Sequence, residues 1–318
     1  MDYNEVLETA RTKIGTKCKA CPICNGVACR NTMPGPGAKG IGDTAIRNYQ
    51  KWQEIRVNMD TICEKKQIDT GLELFGKHFS YPFFAGPVGA IAMHYSNAYS
   101  DVTYNEVLVS ACAESGIAAF TGDGLDSSVM AAATQAIKAV DGQGVPTVKP
   151  WNLETIKEKL ALVKESGAFA VAMDIDAAGL PFLQNMMPPA GSKSVSELAE
   201  IAQQAGAQAI IVSNHGGRVL DQCAATAEVL PEIAAAVGGK MRIIVDGGVR
   251  SGVDIFKALA LGADAVVIAR PFVTAVFGGG KEGVKVYIEK LAAELKDTMA
   301  MCGAFTLKEI TSEMVRRS

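Results

Sequence analysis

Short apolar segments alternate with longer segments of mixed polarity along the chain from residue 83 onward. The short segments are rich in Val, Ile, Ala and Phe, whereas the longer ones repeat apolar residues about every 3.6 positions, the period of an amphipathic helix. This alternation is typical of parallel βα units. We predict strands at about 83–89, 117–122, 145–149, 168–175, 207–213, 242–246 and 264–268, and helices at about 105–115, 127–140, 153–166, 194–205, 225–237, 252–261 and 282–301.

Successive βα units predict an α/β fold of the TIM-barrel type, in which parallel strands form a cylinder inside a ring of helices. A chain of 318 residues with 48% hydrophobic content can bury such a core in one large domain. We divide the chain into a leader at 1–51 and a barrel at 52–318.

The charge and the termini exclude several classes of protein. A net charge of −3 provides no basic surface for nucleic acid. The acidic N-terminus lacks the apolar stretch of a signal peptide, and no apolar run is long enough to span a membrane. These features predict a cytoplasmic, reducing location, in which the eight cysteines are thiols or metal ligands more often than disulfides.

Two segments near the C-terminus carry the clearest chemistry, namely Ser213–Asp221 and Ile243–Asp254. The first places a histidine and an arginine three residues apart where a predicted strand ends, and the second places a glycine pair and an arginine at the end of the next strand. Barrel enzymes hold their functional groups at this end of the strands. His215 can exchange a proton near neutral pH, and Arg218 can bind a carboxylate through two parallel hydrogen bonds. The pair suits an anionic substrate that loses a proton.

These segments, together with Ala258–Phe272, resemble the FMN-dependent 2-hydroxy-acid oxidases and dehydrogenases, a family that includes glycolate oxidase, lactate oxidase and flavocytochrome b2. The resemblance is without gaps from about Gly206 to Phe272, looser to Ile310 and moderate from Trp52 to Ala178. The leader resembles only a short bacterial branch with a cysteine-bearing N-terminus.

The resemblance implies an FMN site at the mouth of the barrel. Backbone amides and arginines near the last two strand ends would bind the phosphate, and small residues of earlier strands would surround the ring system. The residues expected to contact FMN are Ala85, Gly86, Pro87, Thr121, Lys149, Ser213, Asp246, Gly247, Gly248, Arg250, Ala269 and Arg270.

The resemblance also implies the catalytic groups. His215 would remove a proton from a small 2-hydroxy acid, Arg218 would bind its carboxylate, and Asp176 would orient the imidazole and stabilise the imidazolium. Strand alternation places Asp174 and Asp176 on the same face. A helix N-cap or loop role for Asp176 is the alternative.

One βα unit differs from the family pattern. In the family a fifth strand ending in Lys-Gly, and its helix, precede the strand that leads to the Ser-Asn-His motif. Here Ser192–Gly206 is predicted as one helix that leads directly to that strand, so a unit of roughly twenty residues is missing or altered, and the family's flavin-facing lysine has no counterpart. Leu180–Met187 is either a replacement strand or the loop after the fourth strand.

The family's usual contacts to the substrate are also incomplete. A second arginine and the substrate-binding tyrosines are absent from their expected places. His94, Tyr95, Tyr99 and Tyr104, which follow the first barrel strand, are the candidates for replacement contacts.

The leader contains four cysteines in twelve residues, Cys18, Cys21, Cys24 and Cys29, with the spacing Cys-x2-Cys-x2-Cys-x4-Cys. This spacing is close to that of ferredoxins and favours an iron–sulfur cluster of the 4Fe–4S type, with zinc or metal-free thiols as alternatives. The glycine-rich segment Pro34–Gly42 does not follow a strand and is expected to be a linker.

The sequence therefore predicts an FMN-dependent oxidoreductase that acts on a small 2-hydroxy acid and passes electrons to an acceptor. A flavin-binding or apo barrel without catalysis is the main alternative, and a type 2 isopentenyl diphosphate isomerase is a weaker one. The family resemblance implies a homo-oligomer, and neither nucleic acid nor a membrane is an expected partner.

Overall fold

The computed structural model describes residues 1–64, 66–124, 126–176 and 194–317. Seven parallel strands form one curved sheet, and helices follow most of them along the chain. The leader helices are α1 (Tyr3–Lys13) and α2 (Asp43–Glu54), and short strands outside the large sheet are β1 (Ile55–Val57), β2 (Leu72–Leu74), β3 (Lys77–Phe79) and β11 (Val315–Arg317).

The large sheet contains the seven strands expected from the sequence. They are β4 (Phe83–Ala85), β5 (Ala119–Thr121), β6 (Gly144–Val148), β7 (Ala172–Met173), β8 (Ala209–Val212), β9 (Arg242–Val245) and β10 (Ala265–Ile268). Their order across the sheet is β7-β6-β5-β4-β10-β9-β8, and every pairing is parallel. Buried residues fill β4, β5, β6 and β10 completely, as expected for parallel strands covered on both faces.

The helices agree with the predicted periodicity. They are α3 (Ile91–His94), α4 (Asp101–Glu114), α5 (Ser127–Lys138), α6 (Leu153–Glu165), α7 (Val195–Gln204), α8 (Thr226–Val237), α9 (Gly252–Ala260) and α10 (Arg270–Met301). Side-chain caps define several starts, because the oxygens of Ser100, Asn152, Ser194 and Ser251 accept hydrogen bonds from backbone N–H groups of the first turn. No described helix has an apolar stretch sufficient to cross a bilayer.

The sheet has two edges, β7 and β8, which are not paired with each other among the described residues. Between them the described chain contains a single helix, α7, in agreement with the predicted loss or alteration of one βα unit. Leu180–Met187, the candidate replacement strand, lies outside the described residues.

The leader packs on the C-terminal helix and on the strand ends. Helix α1 crosses α10 at Gly278, where a Cβ atom would lie 2.1 Å from the carbonyl oxygen of Val6, so only glycine permits this approach. Helix α2 ends beside Trp52, which is fully buried. The leader thereby reaches the end of the sheet at which the functional motifs lie.

Candidate active site

A cavity of about 1240 Å³ opens at the carboxyl ends of the strands. Most residues that the sequence assigned to the site line this cavity, namely Pro87, Lys149, Asp176, Ser213, His215, Arg218, Asp246, Gly247, Gly248, Arg250, Ala269 and Arg270. Ala85, Gly86 and Thr121 are buried and do not line it. The N–H of Gly86 donates to Ile268 O at 2.8 Å, so the sheet already uses it.

His215 lies in a tight turn directly after β8. It adopts a left-handed conformation with φ 56°, and Gly216 and Gly217 follow with φ 61° and 79°. The hydroxyl oxygen of Ser213 accepts the N–H of His215 at 3.0 Å and stabilises this turn. A non-glycine residue in this conformation is uncommon, and such strain is concentrated at functional sites.

The imidazole of His215 faces two carboxylates. Its Nδ1 lies 3.1 Å from Asp176 Oδ1 and 3.5 Å from Asp174 Oδ1. Burial disfavours the imidazolium, but the hydrogen bonds and negative charges of Asp174 and Asp176 outweigh burial and raise the pKa of His215 to about 9. Burial also acts against the charged form of Asp174, but the contact with His215 and the charge of Lys149 lower the pKa of Asp174 below its ordinary value. A charged histidine–aspartate pair is therefore favoured at neutral pH.

Lys149 lies beside this pair. Its Nζ donates to Asp174 Oδ2 at 2.9 Å, and its side chain is nearly buried. Lys149 and Asp174 both line the cavity and form an ion pair within its wall, whereas the contact of Lys149 with a flavin stays a prediction.

Arg218 is held by the leader segment that was expected to be a linker. Its Nη1 donates to Gly35 O at 2.5 Å and to Gly37 O at 2.9 Å. Residues 35–38 are buried, and Lys39 N donates to Gly217 O at 2.9 Å. The linker expectation is thus wrong, because these hydrogen bonds fasten the segment to the His-Gly-Gly-Arg turn. Burial and the charge of Arg270 lower the pKa of Arg218 to about 10, which leaves the guanidinium charged at neutral pH.

Two of the four candidates for replacement contacts line the cavity, His94 and Tyr95. The hydroxyl of Tyr99 instead donates to Val276 O at 3.2 Å, and Tyr104 is fully buried. His94 Nδ1 lies 3.2 Å from Gly35 N and 3.5 Å from Arg218 Nη2.

The glycine pair after β9 forms a turn with a left-handed backbone. Gly247 and Gly248 have φ 82° and 84°, and a Cβ atom at Gly248 would lie 2.2 Å from Asn48 O. Helix α2 fixes this turn, because the indole Nε1 of Trp52 donates to Gly247 O at 2.8 Å. Residues of the leader therefore support the predicted phosphate site.

Two residues that line the cavity each have a buried oxygen atom without a partner among the described residues. Asp246 Oδ1 and Thr147 Oγ1 are buried with no hydrogen-bond partner among the described residues, and both residues line the cavity. Burial raises the pKa of Asp246 to about 6. Helix α10 begins at Arg270 without a side-chain cap, Pro271 has no N–H group, and the N–H groups of Phe272 and Val273 already donate to Ala269 O. The guanidinium of Arg270, which lines the cavity, is therefore the group that this helix start offers to an anion. A flat polar ring with a phosphate tail, such as FMN, fits this set of donors and acceptors.

A buried network surrounds Asp123 that no sequence pattern indicated. The carboxylate of Asp123 accepts from Lys159 Nζ at 2.6 Å, from Trp151 Nε1 at 2.7 Å and from Lys149 N at 3.1 Å. It thereby fixes the end of β6, which carries Lys149. An aspartate shortly after the buried strand β5 was the available signal, but its partners come from α6 and from the loop that follows β6.

The four leader cysteines line a second, small cavity. Its wall also includes Tyr95, Pro36 and Arg270, three residues that line the large cavity as well. Arg250 lies at the boundary, since its Nε donates to Cys24 O at 2.6 Å. The two cavities are separated by single side chains.

Comparison with known proteins places the chain among flavoenzymes. The model of a family described as FMN-dependent dehydrogenase matches residues 36–186 and 194–317. A 2-hydroxyacid oxidase of Dictyostelium discoideum is 48% identical over 117 residues, which are 37% of this chain and 30% of that protein. An L-lactate oxidase of Lactobacillus jensenii is 43% identical over 152 residues, which are 48% of this chain and 36% of that protein. The chain thus spans about a third of the length of the curated relatives it matches.

Solved structures with the same fold cover nearly the whole chain. A mandelate oxidase variant with (S)-mandelic acid has a TM-score of 0.79 at 23% identity and covers 99% of this chain and 97% of that chain. The recombinant flavin-binding domain of baker's yeast flavocytochrome b2 has a TM-score of 0.75 at 22% identity and covers 89% of this chain and 81% of that chain. At these identities the comparison establishes the barrel fold.

Proposed function

Because the chain belongs to the FMN-dependent dehydrogenase family, we propose that it oxidises a small 2-hydroxy acid to the 2-oxo acid. The observation that carries this proposal is the contact of His215 with Asp174 and Asp176 beside a cavity that also contains the glycine pair and Arg270. A base with a carboxylate partner and an anion site thus line one cavity.

FMN would lie in this cavity, with its phosphate near Gly247, Gly248, Ala269 and Arg270. When bound, FMN accepts the two electrons that leave the substrate. Asp246 and Thr147 line the cavity, and each has a buried oxygen without a partner among the described residues that would accept a hydrogen bond from the ring system. Gly247 and Gly248 let this turn pack against Asn48 of α2, since a Cβ atom at Gly248 would lie 2.2 Å from Asn48 O.

The chain itself supplies binding and proton transfer. Arg218 binds the substrate carboxylate, and the carbonyl groups of Gly35 and Gly37 hold the guanidinium in place. His215 in its neutral form accepts a proton from the substrate, and Asp174 and Asp176 stabilise the resulting imidazolium. The substrate loses two electrons and two protons. His215 takes one proton, and the other leaves with the electron pair, for which bound FMN would be the acceptor. A barrel without catalysis is disfavoured, because the base, its carboxylates and Arg218 are assembled.

The decisive experiment is anaerobic reduction of the flavin. Protein purified with FMN should lose its flavin absorbance when a suitable member of a panel of 2-hydroxy acids is added. His215→Ala should slow this step by about 10²- to 10⁴-fold yet retain FMN. An unaltered, FMN-loaded protein that no 2-hydroxy acid reduces would overturn the proposed activity.

For the leader we propose an iron–sulfur cluster bound by Cys18, Cys21, Cys24 and Cys29. All four line one cavity, and residues 14–42 contain neither helix nor strand, so the segment needs another source of order. In the described chain no three of these sulfurs lie within 4.8 Å of one another. A zinc ion with Zn–S bonds of about 2.3 Å would bring them within about 3.8 Å, so the spacing is wider than zinc requires.

Metal analysis tests the cluster. The space between the four side chains is about 20 Å³, close to the volume that one water needs, so a cluster would widen this cavity. Anaerobically purified protein should contain iron and acid-labile sulfide, and Cys21→Ala should lose both. Zinc alone, or no metal, would exclude the cluster. A redox-active centre here would lie next to the flavin cavity, across Arg270 and Tyr95, and could pass electrons to an external acceptor.

We propose a cytoplasmic location and a homo-oligomeric assembly for this protein. None of the eight cysteines, all of which lie in the described residues, forms a disulfide, which suits a reducing compartment such as the cytoplasm. We retain a homo-oligomer as the proposed assembly, and sedimentation analysis would measure its size.

A further inference from the structure

The two histidines of the cavity are held in opposite protonation states. His215 contacts two carboxylates, whereas His94 is surrounded by donors and cations. Pairs of titratable groups whose surroundings separate their pKa values mark different chemical roles in an active site. The proposed function assigns proton transfer to His215, so His94 is expected to have another role in the cavity.

The tautomer of His94 follows from its hydrogen bonds. The backbone N–H of Gly35 lies 3.2 Å from Nδ1 and can only donate, so Nδ1 is the acceptor and carries no proton. Arg218 Nη2, at 3.5 Å, points a second donor at the same atom. The neutral ring therefore carries its proton on Nε2.

The surroundings of His94 oppose a second proton. Its side chain is buried, Arg218 is in contact, and Lys17 is held nearby through a hydrogen bond from its Nζ to Met93 O at 2.6 Å. Burial, together with the charges of Arg218, Lys17 and His215, lowers the pKa of His94 to about 4. His94 thus remains a neutral donor across the physiological pH range.

The Nε2–H group has no hydrogen-bond partner in the part of the chain that the structure describes, although His94 lines the cavity beside Arg218. An unused donor next to a guanidinium is suited to a carboxylate, which accepts several hydrogen bonds at once. The Nη1 group of Arg218 already donates to Gly35 O and Gly37 O, so fewer of its N–H groups remain for a substrate carboxylate. A second donor beside Arg218 would complete the hydrogen bonds to that carboxylate.

We propose that His94 binds the carboxylate of the 2-hydroxy acid through its Nε2–H group, together with Arg218. This inference rests on the proposed function and deepens it, because it assigns substrate recognition to the loop after β4. Gly35 of the leader fixes the tautomer that makes the contact. The neutral donor also adds no charge that would compete with the abstraction of a proton by His215.

The test uses pyruvate, a 2-oxo acid that does not reduce flavin, as the probe of carboxylate binding. Its dissociation constant is measured from the change in flavin absorbance of the FMN-loaded protein. His94→Phe should weaken pyruvate binding by roughly 10- to 100-fold, the range for a hydrogen bond to a charged group, and should raise KM far more than it lowers kcat. His94→Gln, which keeps an N–H donor near the Nε2 position, should recover most of the affinity.

His78→Phe is the matched control, since His78 is exposed on β3, pairs with Glu73 and is not among the residues that line the cavity. It should leave pyruvate binding unchanged. If His94→Phe does not retain FMN, His94→Asn replaces it as the donor-lacking variant, because the Asn amide is too short to reach the Nε2 position. The pyruvate affinity of His94→Asn is then compared with that of His94→Gln. Equal pyruvate affinity in the donor-lacking and donor-keeping variants would overturn the role of His94 alone. An unaltered protein that neither binds pyruvate nor is reduced by a 2-hydroxy acid would overturn the proposed function as well.

Discussion

The imidazole of His215 and the carboxylate of Asp176 lie 3.1 Å apart although 39 residues separate them in the chain. The contact joins the ends of β7 and β8, which are the two edges of the described sheet. The base and its carboxylate are thus brought together where the barrel departs from the family pattern.

This pairing predicts the pH dependence of the reaction. The neutral imidazole accepts the proton, and the pKa of His215 is raised to about 9, so the rate of flavin reduction should increase with pH up to about 9. Asp176→Asn removes one of the negative charges that raise this pKa. The rising limb of the profile should therefore move to lower pH in the variant. Stopped-flow reduction measured from pH 6 to about 10 checks the shift.

Asp297→Asn is a suitable control for that profile, because Asp297 is exposed on α10. Its profile should overlay that of the unaltered protein. A limb that stays in place, or moves to higher pH, in Asp176→Asn would contradict the assignment of His215 as the titrating base.

Arg270 should determine flavin occupancy. It begins α10, and its Nη2 donates to Gly216 O at 2.6 Å, so its charge is fixed beside the predicted phosphate position. Arg270→Glu replaces an attractive charge by a repulsive one and should reduce FMN content by at least about tenfold while the fold is retained. Arg316→Glu, an exposed change of the same kind, should have no effect. Flavin absorbance per protein measures both, and equal FMN content would remove the phosphate assignment.

Arg218→Lys tests substrate binding separately from catalysis. An ammonium cannot form the two parallel bonds to a carboxylate, nor can it reproduce the contacts to both Gly35 O and Gly37 O. We expect KM to rise by roughly 10- to 100-fold with a smaller change in kcat. Steady-state kinetics with the accepted 2-hydroxy acid measure the two constants. A loss confined to kcat would place Arg218 in the chemical step instead.

The Asp123 network should be important for stability. Asp123→Asn removes the buried negative charge that Lys159 contacts at 2.6 Å, and its NH2 group cannot accept from Trp151 Nε1 and Lys149 N as the carboxylate does. The substitution should lower the free energy of unfolding by about 3 kcal/mol. Glu114→Gln removes exposed ion pairs to Lys281 and Lys285 and should have little effect, because solvent screens such contacts. Urea unfolding of both variants gives the comparison. An equal loss of unfolding free energy in the two variants would contradict this stabilising role of the Asp123 network.

Metal removal should also affect Arg218 through the leader backbone. Cys29 O accepts from Thr32 Oγ1 at 2.6 Å, Thr32 O accepts from Gly37 N at 3.2 Å, and Gly37 O accepts from Arg218. Cys21→Ala or chelation should therefore weaken pyruvate binding by about tenfold, as changes around a metal site commonly do. Cys63→Ala, at an exposed cysteine outside the leader, should not. Unchanged binding in metal-free protein would show that the leader and the substrate site are independent.

The sequence by itself determined the barrel units and most of the cavity residues. Strand and helix periods are local properties, so the seven strands and their helices followed from the positions of apolar residues. The ends of those strands then located His215, Asp176 and the glycine pair, because parallel strands bring their carboxyl ends to one side of a sheet. The family resemblance added FMN, which the family match supports.

The tertiary structure decided which polar groups pair with one another and which protonation states their contacts favour. The sequence predicted a linker at Pro34–Gly42, yet Gly35 and Gly37 hold Arg218 across about 180 positions of chain. Lys149 was assigned to the flavin, and its partner Asp174 became evident only when β6 and β7 were paired. The protonation of His94 likewise depends on Gly35 and Arg218. Burial and charge act through space, so these states follow from contacts between distant segments and not from any local pattern.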